Sequence, residues 1–150
     1  MKTNTFLLLF FAVFFVVACN SGAKQQEAQE KVWDELMVVH DEVMPKMGEV
    51  NRLAQELAAK AAALDSTQLD NKNALLAGAQ ALEQADEAMM TWMSEVQNPD
   101  KLKEAGKTHE EIMTYLAGEK SKVDKVKEAI LSSLQQGEAL LQQAGATTNQ

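Results

Sequence analysis

The chain has a single cysteine, only two prolines and seven glycines, and few aromatics. One cysteine, Cys19, excludes an internal disulfide. Basic residues are outnumbered by acidic ones, and the net charge is −8. Such a body has no electrostatic footprint for nucleic acid and is repelled by anionic lipid. Beyond the first residues there is no alternating strand-like run and no Asn-Gly or Asp-Gly hairpin turn. Catalytic signatures are also missing. No glycine-rich phosphate loop occurs, and no Cys-x-x-Cys-His for covalent haem. The Glu-x-x-His of di-iron bundles fails, because Met37 stands three before His40 and Gly106 three before His109. His109-Glu110-Glu111-Ile112-Met113 starts like a zinc-peptidase helix but carries Met113 where a second histidine belongs. No histidine stands at a plausible triad position for the serines. The expectation is a protein that is not an enzyme.

What is present begins with the only long apolar run, Phe6 to Ala18, preceded by Lys2. As a helix it reaches about 20 Å, short of the ~30 Å hydrocarbon core, so it reads as a cleaved signal peptide over residues 1–18. The junction Val16-Val17-Ala18-Cys19 resembles a bacterial lipobox. That resemblance implies a diacylglyceryl thioether on Cys19, cleavage before it, and N-acylation. Two or three acyl chains anchor a protein stably, at ~0.8 kcal/mol per buried CH2. The expected partner through this anchor is the membrane. The expected location is the cell envelope, with the outer membrane preferred because Asn20 follows the cysteine with no aspartate retention signal.

Ala, Leu, Glu, Gln, Lys and Met dominate the remainder, and all are strong helix formers. Residues 19–30 read as a polar tether and 31–145 as an antiparallel three-helix bundle. The tail 146–150 reads as disordered. In the first helix Trp33, Leu36, His40, Val43, Met47, Val50, Ala54, Leu57, Ala61 and Leu64 alternate steps of three and four, a heptad seam. Pro45 falls inside that seam without changing its phase, which predicts a kink in a continuous helix. Asp65-Ser66-Thr67 ends it. The second helix spans about Asn71 to Val96, with Leu75, Ala79, Leu82, Met89, Met93 and Val96 inward and Trp92 at the edge. A loop follows over 98–107, with a short turn around Leu102. Thr108-His109-Glu110-Glu111 reads as a capping box for a third helix ending near Ala144. Its inward residues are Ile112, Leu116, Val123, Val126, Ile130, Leu134 and Leu140, while Glu119 and the lysines belong to a solvated face. In this arrangement the third helix overhangs the first turn. Leu134, Leu140 and Leu141 are left to favour self-association or an envelope protein partner.

The two histidines stand in matching contexts, His40-Asp41-Glu42-Val43-Met44 and His109-Glu110-Glu111-Ile112-Met113. Each has a methionine four residues on, on the same helix face. Hairpin pairing about a turn near 68 and the 98–107 loop puts both histidines at one level. Met44, Met47, Met89, Met90, Met93 and Met113 lie just below. Two readings stay open. One is a soft methionine core, filling gaps around the Pro45 kink and capped by histidines bonded to Asp41, Glu42, Asp86, Glu95, Glu110 or Glu111. The other is a His/Met site for copper or haem, since thioether and imidazole suit Cu(I) and also ligate haem iron.

Together with the lipobox, the run from His40 to Leu53 and the later Ala85-Asp86-Glu87-Ala88-Met89-Met90-Thr91-Trp92-Met93 resemble a family of small helical lipoproteins of Bacteroidota-type bacteria. Its members are sometimes labelled viral A-type inclusion protein. The resemblance implies a helical lipoprotein and brings no activity, substrate or site. The functional expectation is a lipid-anchored, non-enzymatic structural or interaction bundle.

Overall fold

The computed structural model describes the backbone of residues 4–147 and the side chains of residues 21–145. The side chains of Cys19 and of the apolar run 6–18, and residues 148–150, lie outside the described residues, so the expected anchor and most of the expected tail do too. The chain is all-α: α1 Asn4–Val43, a 3-10 turn Met44–Lys46, α2 Met47–Ala62, α3 Leu69–Glu95, α4 Pro99–Glu104 and α5 His109–Thr147. Among the described residues no helix is long and apolar enough to cross a membrane. Pro45 does more than bend a continuous helix. Lacking an N–H, it tightens one turn to 3-10 geometry and divides α1 from α2. The last helix passes its expected end at Ala144 and reaches Thr147.

The contacts divide the chain into two compact units. The first holds residues up to Glu35 together with Gln97–Ala117. Within it, the expected loop contains α4. Asn98 Oδ1 accepts from the Lys101 N–H at 2.9 Å, and Pro99 follows as the first helical residue. The helix closes at Gly106, whose φ of 81° suits glycine alone. There Gly106 N–H donates to the Lys103 carbonyl and Lys107 N–H to that of Leu102, a Schellman end. The capping box forms as expected: Glu111 N–H donates to Thr108 Oγ1 at 3.3 Å, and Thr108 N–H to Glu111 Oε2 at 2.8 Å. Leu102, Ile112 and Leu116 make the core, flanked by Val32, Trp33 and Tyr115. The residues expected as a tether are helical here, and Gln29 is buried.

The second unit holds Leu36–Val96 and the chain from Gly118 onward. His40 meets Met93, Asn51 meets Asp86, and Leu57 lies over Gly78. Numbers rise on one strand of the pairing and fall on the other, so α3 runs antiparallel to α1 and α2. Leu82 lies over Gly137, and Leu140 over Gly78, so α5 runs antiparallel to α3. Glu42 pairs with Lys127, and Leu53 packs on Gly137, so α5 runs parallel to α2. The result is a three-helix bundle around Leu36, Val43, Val50, Leu53, Leu57, Leu75, Leu82, Met89, Val123 and Ile130.

Two expectations about this bundle are corrected. Trp92 is buried at 5% exposure and Met93 only half-buried, because the seam of α3 steps through Leu75, Gly78, Leu82, Ala85, Met89 and Trp92. The third helix does not overhang: Leu134 is buried and Leu140 packs into the Gly78 gap. Glu119, assigned to a solvated face, is also buried, at 4% exposure.

Candidate functional site: the His40 cluster and its neighbouring groove

The end of α1 carries His40 toward α3. His40 Nε2 lies 3.2 Å from Met93 Sδ, and Nδ1 lies 2.9 Å from Asp41 Oδ1. The Trp92 ring sits beside the imidazole, with centroids 5.9 Å apart and planes tilted by 39°. The imidazole is 17% exposed and Asp41 is open to solvent. The Trp92 indole N–H is buried with no hydrogen-bond partner. A buried unpaired donor costs roughly 1–3 kcal/mol, so this tryptophan is held by packing rather than by its polar tip.

Behind Trp92 an open groove of about 540 Å3 runs between α3 and α5. Ala88, Trp92 and Val126 line it, with Glu87 and Glu95 on the α3 side and Lys122 and Lys125 on the α5 side. Lys122 Nζ donates to the buried Glu119 carboxylate at 2.7 Å. Opposite charges therefore face each other across an apolar floor.

Trp92 shares its groove with Lys122, Lys125 and Val126 of α5. His109 belongs to the first unit, as does Met113. There the buried Gln29 side-chain amide donates to His109 Nδ1 at 3.0 Å. Of the remaining methionines, Met47 and Met89 are buried and Met44 is half-buried in the second unit. Met93 is the thioether that meets a histidine. Among the described residues no three His, Cys, Asp or Glu side chains converge as metal ligands. Gln29 was legible in principle: it stands four before Trp33 and extends the α1 seam by one more step.

Charge around the ordered caps is shifted where hydrogen bonds demand it. The Thr108 backbone N–H, then Lys107 and the Thr108 hydroxyl, hold the Glu111 carboxyl below its ordinary range. The Thr67 hydroxyl and backbone N–H do the same for Asp65 at the end of the first hairpin.

Fold and site together define an all-α bundle with a histidine–thioether–indole cluster at one helix end. No family model, no curated protein and no solved structure matches the chain.

Proposed function

We propose that this chain is a lipid-anchored protein of the bacterial envelope whose helical body is a non-enzymatic interaction module. The observation that carries the anchor is the junction Val16-Val17-Ala18-Cys19 behind a short apolar run. The acidic body supports the same reading, since it offers anionic lipid no attraction of its own and leaves attachment to acyl chains. The α3–α5 groove supports a docking surface, with acidic and basic walls to orient a partner. The outer membrane is the proposed location.

Expression in a bacterial host with labelled palmitate tests the anchor. Label is expected on the wild-type chain and in the membrane fraction, with the N-terminal mass shifted by the acyl groups. Cys19→Ala is expected to lose the label and leave the membrane. Equal membrane retention of Cys19→Ala, or an unmodified cysteine in the mature protein, overturns the reading.

A further inference from the structure

Three lone-pair facts set the problem at His40. The Asp41 carboxylate only accepts hydrogen bonds, so the 2.9 Å contact requires the proton on Nδ1. A neutral ring then presents a bare lone pair at Nε2. Met93 Sδ, 3.2 Å away, has no hydrogen to offer and is only a weak acceptor. Two lone pairs thus face each other at contact distance, and only a cation shared between them makes the pair attractive. That cation is either a proton on Nε2 or a metal ion.

The surroundings favour a soft metal. With bonds of about 2.0 Å to nitrogen and about 2.3 Å to sulfur, two donors on one tetrahedral ion stand roughly 3.5 Å apart. The observed 3.2 Å is shorter than that spacing, so a small parting of the two side chains admits the ion. Asp41 on Nδ1 is placed as the outer-shell carboxylate that orients a metal-bound histidine. The Trp92 face adds a π surface beside the imidazole, favourable to a cation held there. Met44, one turn along from His40 and half-buried, offers a further thioether on the same face. The partial exposure of the imidazole leaves an entry path. The thioether is a soft ligand, which favours a monovalent soft ion, while the imidazole accepts soft and borderline ions alike.

We infer that His40 and Met93, backed by Asp41 and Trp92, form a binding site for Cu(I) or its analogue Ag(I). The site is separate from any role of His109 or Met113. It does not depend on the lipid anchor or on the interaction reading.

The test uses the full chain in detergent with Cys19→Ser in every sample, so that no thiol competes for copper. Cu(I) is titrated without oxygen against a chromophoric Cu(I) chelator, and Ag(I) by calorimetry, with Zn(II) as the counter-probe. One equivalent of Cu(I) or Ag(I) is expected to bind and to quench the fluorescence of Trp92 in a Trp33→Phe background. Met93→Leu keeps the volume and helicity but is expected to lose the equivalent, as is His40→Gln. Asp41→Asn is expected to weaken binding by about 10–100-fold, the usual reach of an outer-shell partner. His109→Gln is expected to bind like the parent. Circular dichroism confirms that each variant is folded. Binding unchanged by Met93→Leu, binding lost only with His109→Gln, or no equivalent retained against the chelator overturns the site. In the last case His40 holds a proton alone.

Discussion

At the scale of single residues the second unit is set by where it is narrow. A Cβ on Gly137 would stand 2.7 Å from Leu53 Cδ2 and 3.2 Å from Leu82 Cδ1. Both leucines are buried and have no room to turn. A Cβ on Gly78 would meet Leu140 Cδ1 at 2.5 Å, but Leu140 is half-buried and its methyl is the far end of a rotatable side chain, while the buried Leu57 Cδ1 at 3.3 Å needs to give by only a few tenths of an ångström. Gly→Ala inside a helix gains up to about 1 kcal/mol in propensity. Gly137→Ala is therefore expected to destabilise by about 1–3 kcal/mol, as overpacking does, while Gly78→Ala is expected near neutral. Urea denaturation of both variants checks the difference. Equal costs would mean that Leu140 is as fixed as Leu53. The buried Glu119 makes a second contrast. Replacing it with an apolar residue of similar volume is expected to be neutral or stabilising. Lys122→Ala leaves a buried carboxylate without this lysine and is expected to lower the melting temperature. The polar members of each seam, Gln29, Glu119, Ser133 and Gly137, are the ones a hydrophobic pattern conceals. They hold the 3–4 spacing but not the apolar character by which a seam is recognised.

At the scale of elements the capping box of α5 is the clearest device. Thr108→Ala removes the hydroxyl that the Glu111 N–H uses and is expected to cost about 1 kcal/mol. Glu111 titrates below its ordinary range when folded, chiefly through the Thr108 N–H. Its contribution is thus present above the ordinary carboxylate range and lost as pH falls through the folded value. Melting temperature measured from neutral to acidic pH is expected to fall for the parent, and to fall less steeply for Glu111→Gln. An identical acid limb in the two would assign the loss to other carboxylates. The caps were readable because they are local: threonine, glutamate and their spacing lie within four residues. The helical content of the 98–107 segment was harder to read, although Asn98-Pro99 and Gly106 mark a start and a stop separated by one short helix.

At the scale of the whole molecule each compact unit carries one tryptophan, Trp33 in the first and Trp92 in the second. The core of the first unit is the small cluster of Leu102, Ile112 and Leu116, whereas the second buries leucines and valines along its whole length. Small buried cores open first. In single-tryptophan variants, Trp33 fluorescence is expected to change at lower denaturant than Trp92 fluorescence. Coincident transitions would make the chain one cooperative unit. A core test belongs here too: Leu57→Ala, at a fully buried position, is expected to cost about 2–5 kcal/mol and to shift the Trp92 transition.

The amino-acid sequence by itself determined that the chain is helical, which faces turn inward, where Pro45 interrupts, and how α5 is capped. Each of these rests on neighbours within a turn or two, through propensity, periodicity and local hydrogen bonds. The tertiary structure alone decided the register of α5 against α3. A heptad seam presents the same face after a slip of whole heptads, and the register found differs from the one expected by about two heptads. The seam residues Leu116, Val123, Ile130 and Leu134 of α5 still point inward, so no local pattern opposes the slip. That slip sends His109 to Gln29 and leaves His40 with Met93 and Trp92. The register is settled by what fits: Leu53 and Leu82 close over Gly137, and Leu140 fills the space at Gly78.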